Sequence, residues 1–392
     1  MEKTPISLRK HIAIFGDTNA GKSTLFNAVL GQDVSIVSEI SGTTTDPVTR
    51  AMELIPYGPV ALIDTAGLGD TTDLGKARIK KTKEILSRTD LVLYVKDVNA
   101  DSDTNFDFGK TKKINVYTKC DIAAPQRVEF VKGLDPDGVF IYEHTEKGLE
   151  ELKNRMVSVL SSMEKDDETL LGDIVPSGGM VVLVIPIDDA APKGRLILPQ
   201  VQTLRDCLDH NIRATVTTVE TLEETLSELP RVDLVVTDSQ AFKEVDDIVP
   251  TEIPLTSFSM LLANQKGGIN QLIEGLTVIK NLCEGDDILM LEACTHNTTH
   301  DDIGKVKIPA LLQKKTGKKL NFTHLSGHDF PEDVEKYKLV IQCGGCMINK
   351  KAIQSRLEVL AEKHIPVTNY GVILAYLNGI AERASAVFVK NN

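Results

Sequence analysis

The sequence predicts an α/β protein of three domains built on parallel sheets. Short apolar strand patterns alternate with helical patterns almost from end to end, which is typical of parallel α/β folds. The chain of 392 residues is also too long for one ordinary hydrophobic core. A polar, acidic stretch at 161–179 interrupts these patterns and is the best candidate for a linker. We therefore expect domains at 1–165, 175–270 and 271–392.

The composition is that of a soluble globular protein, with 42% apolar and 26% charged residues. The longest apolar runs are far too short for a bilayer span, and the first residues lack the apolar core of a signal peptide. We therefore expect a cytoplasmic protein without a membrane partner. The formal net charge of −12 argues against a surface built mainly for nucleic acid.

The first domain is predicted to contain a doubly wound sheet. Four short apolar segments, each followed by a turn and a helical pattern, are its expected buried strands: 11–15, 61–63, 91–95 and 114–117. A helix is expected over 23–30, directly after a glycine-rich turn. A strand, that turn and a helix therefore open the domain.

The glycine-rich turn carries a phosphate-binding motif. Residues 16–23, GDTNAGKS, match G-x-x-x-x-G-K-[ST] at every fixed position. Glycines allow backbone N–H groups to surround phosphate oxygens, and the helix N-terminus adds a favourable dipole. Lys22 is suited to the β- and γ-phosphates and Ser23 to magnesium, although a chance glycine-rich turn is the alternative. The predicted contacts in this motif are Gly16, Gly21, Lys22, Ser23 and Thr24.

Two further segments complete the phosphate side of the site. In Asp64-Thr65-Ala66-Gly67, Asp64 is placed to hold magnesium through water and the Gly67 N–H to meet the γ-phosphate. A D-x-x-G motif has little value alone, but it gains weight when it follows a P-loop. The polar loop 41–46, SGTTTD, lies where GTPases place a magnesium-binding threonine, and a plain β-turn would also explain it.

The choice of base depends on Thr118-Lys119-Cys120-Asp121. The carboxylate of Asp121 is able to accept both N1–H and N2–H of guanine, a bidentate contact that adenine does not offer. GTPases usually have N-K-x-D here, so Thr118 replaces an amide that normally braces the site. We expect guanine, with adenine and a simple helix N-cap role for Asp121 as the alternatives.

These motifs together resemble the tRNA-modification (TrmE) and Era-type branch of small GTPases. The resemblance is carried by G-x-x-N-x-G-K-S, G-T-T-x-D and D-T-A-G. It implies that Thr44 is a magnesium ligand and that Asn19 contacts the nucleotide site by helping to bind potassium, which stands in for an arginine finger. Leu68 occupies the position of the water-orienting glutamine of Ras-type enzymes. We therefore expect slow GTP hydrolysis that potassium stimulates.

The second and third domains continue the alternation of strands and helices. The expected strands lie at 180–185 and 232–236 in the second domain, and at 288–291, 320–325, 339–341 and 366–368 in the third. Between them, the segment 254–282 has a helical pattern that Gly267 and Gly268 interrupt.

Three of the six cysteines are placed to share a metal centre. Cys294 follows one expected strand and Cys343-Gly344-Gly345-Cys346 follows another, so both lie at the carboxyl edge of a parallel sheet. The dipole of a helix expected over 349–360 would help to keep Cys346 deprotonated. Three thiolates, with His296 as a further donor, suit zinc or an iron–sulfur cluster, and a free C-x-x-C redox pair is also open. The other cysteines are expected to be buried apolar residues: Cys120, Cys207 and Cys283.

The C-terminal half resembles the HydF family, the GTPases needed to mature FeFe-hydrogenases. The residues that carry this resemblance are Cys294-x-His296, DDIGKVKIP at 301–309, CGGCM at 343–347, APKGRLILPQ at 191–200 and LTSFS at 255–259. The resemblance implies a GTP-binding domain at 1–165, a dimerisation domain at 175–270 and an iron–sulfur domain at 271–392. The ligands that it implies for a 4Fe–4S cluster are Cys294, Cys343 and Cys346.

The same resemblance implies a function in metal-cofactor assembly. The protein would form a homodimer and carry a transient diiron precursor that two radical-SAM maturases deliver, and would pass it to apo FeFe-hydrogenase. Its cofactors would be GTP or GDP, magnesium, potassium and the 4Fe–4S cluster. Many members have histidine directly before C-G-G-C, whereas this chain has Gln342. The fourth iron would therefore be open, held by an exchangeable donor, or bound by His296.

Two other functions remain open from the sequence. The N-terminal motifs also fit a GTPase of tRNA modification or ribosome assembly, although the acidic net charge disfavours a nucleic-acid partner. The cysteines also fit a zinc-containing regulatory GTPase without an assembly function.

Overall fold

The computed structural model describes residues 4–31, 39–40, 48–65, 81–100, 106–142, 146–163, 169–187, 194–293, 303–327, 329–331 and 333–389. The chain divides into two compact units. The first comprises 1–167 with 349–352, and the second comprises 168–348 with 353–392. Both units consist of sheets and helices, so the predicted α/β class is confirmed.

The first unit is built on a mixed sheet that contains seven strands in the described part of the chain. The strands are β1 (Lys10–Gly16), β2 (Glu39–Ile40), β3 (Val48–Leu54), β4 (Gly58–Asp64), β5 (Leu91–Asp97), β6 (Lys112–Thr118) and β7 (Val139–Phe140). Their order is β2-β3-β4-β1-β5-β6-β7, with parallel pairing throughout except for β2 with β3 and β3 with β4. Helices whose bounds lie within the described residues of this unit are α1 (Lys22–Gly31), α2 (Pro125–Leu134) and α3 (Glu146–Met163).

The predicted doubly wound sheet follows from burial on both of its faces. Along β1, Ile12 and Ile14 pack into one core together with residues of α1 and α3. Ala13 and Phe15 point to the opposite face and pack with Tyr94 and its neighbours. A strand that is buried on both faces has a continuous apolar sequence, which is why the four central strands were predictable.

Strand β3 lies outside the sequence prediction. Its residues alternate in polarity and only part of the strand is buried, so it lacks the apolar run that marks the central strands. It joins the sheet as the antiparallel partner of β4, from Val48 opposite Asp64 to Leu54 opposite Gly58.

The second unit contains two sheets of four parallel strands each among the described residues. The first sheet has the order β11-β10-β8-β9, formed by β8 (Met180–Val184), β9 (Arg213–Thr217), β10 (Leu234–Thr237) and β11 (Leu255–Ser257). The second has the order β13-β12-β14-β15, formed by β12 (Asp287–Glu292), β13 (Asn321–Ser326), β14 (Leu339–Gln342) and β15 (Val367–Asn369).

Helices connect the strands of both sheets. They are α4 (Leu198–Asp209), α5 (Leu222–Glu228), α6 (Phe242–Ile248), α7 (Phe258–Gln265), α8 (Ile269–Glu274), α9 (Ile308–Thr316), α10 (Lys350–Glu362), α11 (Tyr370–Leu377) and α12 (Ala381–Ser385). The expected helical segment 254–282 is divided into α7, α8 and a 3-10 turn, Gly275–Asn281. The break after α7 falls at Gly267, whose φ of 80° lies in the left-handed region.

The six strands expected in this unit are all present, whereas β9 and β11 were missed. β9 is largely exposed and β11 has only three residues, so neither leaves a strong apolar pattern. In the described part of the chain, no helix combines the length and the apolarity that crossing a membrane requires.

Candidate functional site

The predicted phosphate loop connects β1 to α1, and its backbone conformation explains its glycines. At Gly16 φ is 152°, and a Cβ would lie 2.2 Å from the carbonyl oxygen of Val95. At Gly21 φ is 87°, next to the side chain of Thr118. Asn19 also adopts a left-handed conformation, with φ of 63°, which asparagine tolerates better than most residues. Neither glycine can therefore be replaced without strain.

Lys22 is buried at the start of α1. Its Nζ donates to the carbonyl oxygen of Asp17 at 2.6 Å, so the side chain closes over its own loop. Burial lowers the pKa of Lys22, and the nearby carboxylates of Asp64 and Asp17 act against that shift. The ammonium group is thus held at the loop, in an environment that favours a further negative partner such as a phosphate.

Ser23 and Asp64, two of the three residues predicted to lie at magnesium, come together at the carboxyl ends of β1 and β4. The Ser23 hydroxyl donates to Asp64 Oδ2 at 3.0 Å. The other carboxylate oxygen, Oδ1, is buried and has no hydrogen-bond partner among the described residues. Burial raises the pKa of Asp64, against the Ser23 hydrogen bond and the charge of Lys22. A hydroxyl and a buried carboxylate oxygen without a hydrogen-bond partner in the described part of the chain fit a site for a hydrated divalent cation.

The predicted base-recognition segment follows β6, close to the phosphate loop. The Thr118 hydroxyl donates to the carbonyl oxygen of Ala20 at 2.7 Å and lies 3.2 Å from that of Lys96. The hydroxyl therefore connects the base-recognition segment to the phosphate loop, although the asparagine that is usual at this position is missing. Lys119 has φ of 58°, and its Nζ lies 2.8 Å from Asp97 Oδ2.

Asp121 is exposed in the turn that precedes α2. The N-cap of α2 is Ala124, and the helix begins at Pro125. The alternative that Asp121 merely caps this helix is therefore wrong. Thr24, on the first turn of α1, is exposed as well.

Several predicted site residues lie outside the described residues. On the nucleotide side they are Thr44, Gly67 and Leu68; on the metal side they are Cys294 and His296. Their predicted roles stay predictions.

The cysteine loop, residues 343–348, follows β14 at the carboxyl edge of the second sheet of its unit. Cys343 Sγ accepts hydrogen bonds from the backbone N–H groups of Ala293 at 3.0 Å and Gly345 at 3.4 Å. Gly345 has φ of 65°, which permits this tight turn. Ala293 directly precedes Cys294. The residue before Cys294 therefore contacts the sulfur of Cys343.

Groups other than the following helix also act on Cys346. Burial and then the charge of Cys343 raise the pKa of Cys346, while Lys266 acts in the opposite direction. Helix α10 begins only at Lys350, four positions beyond the cysteine. Burial therefore opposes deprotonation of Cys346, and the contribution expected from the helix dipole stays a prediction.

Lys266 is a site residue that the sequence prediction missed. It is only 6% exposed, and its Nζ donates to the carbonyl oxygens of Gly345 at 2.5 Å and Ile348 at 3.1 Å. Burial lowers the pKa of Lys266 to about 8, against the charges of Cys346 and Cys343. The available signal was a single charged residue in the segment LLANQKGGI. Lysine is almost never buried without a partner, so a lysine buried in this segment needs one.

A second buried cation, Arg356 on α10, faces the same region. Its Nη2 donates to the carbonyl oxygen of Gly327, which follows β13, at 2.8 Å. Burial lowers the pKa of Arg356, with the charges of Cys343 and Asp329 acting against it. Gln342, at the end of β14, is also buried, and its Oε1 has no hydrogen-bond partner within the described part of the chain.

Within the described ranges, no three His, Cys, Asp or Glu side chains form a group that would hold a metal ion. The predicted set is incomplete there because Cys294 lies outside those ranges. Of the remaining cysteines, Cys120 and Cys207 are buried as predicted, and burial raises the pKa of each thiol to about 11. Cys283 is exposed, so the prediction that it is a buried apolar residue is wrong. It lies in the turn before β12, where its N–H bonds to Asp286.

Three family models match successive parts of the chain. Residues 11–122 match a model described as a 50S ribosome-binding GTPase. Residues 170–267 match the hydrogen maturase F dimerization domain, and residues 270–387 match the hydrogen maturase F tetramerization domain. The predicted three-domain layout, with a GTPase domain first, is confirmed by these matches. The residue boundaries expected from the sequence stay a prediction.

Curated relatives match the first domain. The tRNA modification GTPase MnmE of Legionella pneumophila (strain Corby) is 36% identical over 168 residues, which cover 41% of this chain and 36% of the relative. MnmE of Thermoanaerobacter sp. (strain X514) is 37% identical over 157 residues, which cover 38% of this chain and 34% of the relative. The chain thus spans about a third of the length of these relatives.

Two solved structures are also similar. The G domain of the T. maritima FeoB iron transporter has 26% identity and a TM-score of 0.31, over 39% of this chain and 99% of that one. An Aquifex aeolicus Era structure has 21% identity and a TM-score of 0.31, over 53% of this chain and 93% of that one.

Proposed function

The chain belongs to the hydrogen maturase F (HydF) family, and from this premise we propose that it is a GTP-hydrolysing scaffold in the maturation of FeFe-hydrogenase. It binds a 4Fe–4S cluster in its last domain and carries the diiron precursor of the hydrogenase active site. The observation on which the metal part rests is the hydrogen bond from the Ala293 N–H to Cys343 Sγ, because it brings the approach to Cys294 against the C-G-G-C loop.

The nucleotide part is supported by groups that converge from separate strands. In the proposed site, Lys22 contacts the β- and γ-phosphates, while Ser23 and Asp64 hold magnesium. Asp121 recognises guanine from the exposed turn after β6. Thr44 as a magnesium ligand and Gly67 as a γ-phosphate contact complete the proposal. Asn19 helps to bind potassium, and potassium stimulates a GTP hydrolysis that is otherwise slow.

The residues present near the cysteine loop fit an anionic iron–sulfur cluster. Two backbone N–H groups donate to Cys343 Sγ, as is common for thiolates that bind iron. Lys266 and Arg356 bring two buried positive charges toward the cysteines. Cys294, Cys343 and Cys346 would hold the cluster, and an iron without a cysteine ligand would be available to an exchangeable donor. The neutral amide of Gln342 is a poor iron ligand, which leaves that position to His296 or to a donor from the cargo.

The diiron precursor is the cargo of this site. In the proposal, two radical-SAM maturases deliver it and apo FeFe-hydrogenase receives it. The chain carries both a dimerization and a tetramerization model of the family, which supports assembly of several copies. A homodimer is the smallest assembly that fits.

A second candidate function is a GTPase of tRNA modification, favoured by the relatives that share 36% identity with this chain. That similarity covers 41% of the chain, whereas the hydrogen maturase F models match 170–267 and 270–387. The cysteine loop lies in the second of these regions, so the maturation proposal explains more of the molecule.

Anaerobic reconstitution of the full chain with iron and sulfide tests the proposal. Wild type should turn brown, with broad visible absorption and bound iron and sulfide, whereas Cys294→Ala should remain colourless. Cys283→Ala is the matched control, because Cys283 is an exposed cysteine at the opposite end of β12. A colourless wild-type protein with stoichiometric zinc would favour a zinc-containing GTPase, and a protein without either metal would refute the metal centre.

A further inference from the structure

The ammonium group of Lys266 binds the cysteine loop on both sides of one cysteine. Its two acceptors are the carbonyl oxygens of Gly345 and Ile348, and Cys346 lies between them in sequence. Lys266 itself is the C-cap of α7, from which its side chain extends into the loop. One side chain therefore binds the backbone immediately before Cys346, at Gly345, and two residues after it, at Ile348.

This contact stabilises the conformation of the loop. Gly345 has a left-handed φ of 65°, and a Cβ there would lie 2.8 Å from Ile353 Cδ1 of α10. The loop is thus a tight turn pressed against a helix. Without the ammonium donor, each of the two carbonyl oxygens would lose a charge-assisted hydrogen bond, and that of Gly345 would keep only the bond from the Ile348 N–H at 3.2 Å.

The contact also brings a positive charge to the cysteines. Lys266 is buried, and among the described residues no carboxylate lies within ion-pair distance of its Nζ. Proximity to Cys346 and Cys343 raises the pKa of Lys266, against the larger effect of burial. An ammonium group that is desolvated without a carboxylate is expensive unless anionic neighbours compensate for it. Cys343 and Cys346 would become such anionic neighbours when they bind iron as thiolates.

We propose that Lys266 is a positioning residue for the iron–sulfur site, which holds the Cys346 loop in place and raises the reduction potential of the cluster through its positive charge. This inference rests on the proposed function, because it needs a cluster on Cys343 and Cys346. A nearby positive charge stabilises the more negative, reduced form of a cluster relative to the oxidised form. Residues that orient metal ligands typically change metal affinity by about 10- to 100-fold when they are removed.

Three variants separate the two roles. Lys266→Met removes the charge and the donor at similar size, Lys266→Gln keeps a donor without the charge, and Lys266→Arg keeps the charge. Lys243→Met is the matched control, since Lys243 is an exposed lysine on α6 of the same unit. Each full-length variant is reconstituted anaerobically, and its iron is then challenged with a chelator. The midpoint potential is measured by electron paramagnetic resonance during titration with dithionite.

We expect Lys266→Met to lose iron at least about tenfold faster than wild type and to have a lower midpoint potential. Lys266→Gln should also have a lower potential, and it replaces the methionine variant if that protein does not fold. Lys266→Arg should keep a potential close to that of wild type, as should Lys243→Met. Neutral variants with the wild-type potential and wild-type iron retention would overturn the inference. If wild type itself binds no iron, the proposed function fails instead.

Discussion

The hydroxyl of Thr118, at the end of β6, donates to the carbonyl oxygen of Ala20 in the phosphate loop at 2.7 Å. This bond joins the segment that is proposed to select the base to the segment that is proposed to hold the phosphates. Thr118 lies where most GTPases have asparagine. Its hydroxyl thus makes a connection between the two segments that a side-chain amide normally makes. The same side chain lies 3.2 Å from the carbonyl oxygen of Lys96 and 3.4 Å from where a Cβ on Gly21 would be.

Replacing Thr118 by valine should therefore weaken nucleotide binding. The variant keeps the shape of the side chain but leaves the carbonyl oxygen of Ala20 without its donor, at a cost of about 1–3 kcal/mol. We expect the Kd for GTP, measured with a fluorescent analogue, to rise by roughly tenfold. Thr118→Ser retains the hydroxyl and should bind like wild type; equal affinities for the valine and wild-type proteins would contradict the brace.

Lys22→Ala should abolish GTP hydrolysis without altering the metal centre. The ammonium group is proposed to contact the β- and γ-phosphates, whereas the cysteine loop belongs to a different compact unit. Phosphate release and the visible absorption of the reconstituted protein report the two functions separately. A variant that loses its visible absorption would show that the two sites are not independent in this way.

Potassium should accelerate GTP hydrolysis relative to sodium, and the effect should depend on Asn19. Asn19 has a left-handed φ of 63°, so glycine is the substitution that keeps the loop conformation while removing the amide. Initial rates in the two chloride salts, at equal ionic strength, are compared for wild type and Asn19→Gly. The variant should show equal rates in both salts; equal rates for wild type would remove Asn19 from its proposed role.

Asp64→Asn should stabilise the nucleotide-free protein at neutral pH. The pKa of Asp64 is raised by burial, so the folded state holds the carboxylate less favourably than the unfolded state does. This cost is absent below the ordinary aspartate pKa, develops as the pH rises, and is complete above the raised folded pKa. The thermal midpoint of the variant should therefore exceed that of wild type at pH 7, and the difference should shrink in acid.

The same substitution should remove the stabilisation that magnesium and GTP give to wild type, because ligand binding raises the thermal midpoint only when the site is intact. A variant that is no more stable than wild type at pH 7 would show that the Ser23 hydrogen bond and the Lys22 charge outweigh the burial of Asp64.

Some features of the fold were not predictable because the sequence pattern was weak or ambiguous. β3, β9 and β11 are partly exposed or very short, and each becomes a strand through the neighbour that supplies its hydrogen bonds. Cys283 is exposed because it lies in the turn before β12, although free cysteine is usually buried.

What the sequence by itself determined was the α/β class, the three-domain layout, the central strands and the identity of the short motifs. These features are local, because a strand that is buried on both faces or a turn with left-handed glycines leaves its mark on neighbouring residues. The tertiary structure alone decided which distant groups meet, such as Lys266 with Gly345, separated by 79 positions, and Thr118 with Ala20, separated by 98. The pairing of Thr118 with Ala20 follows from strand order, because parallel strands bring their carboxyl ends to one edge whatever their distance along the chain. The pairing of Lys266 with Gly345 follows from the position of the C-terminus of α7 beside the cysteine loop.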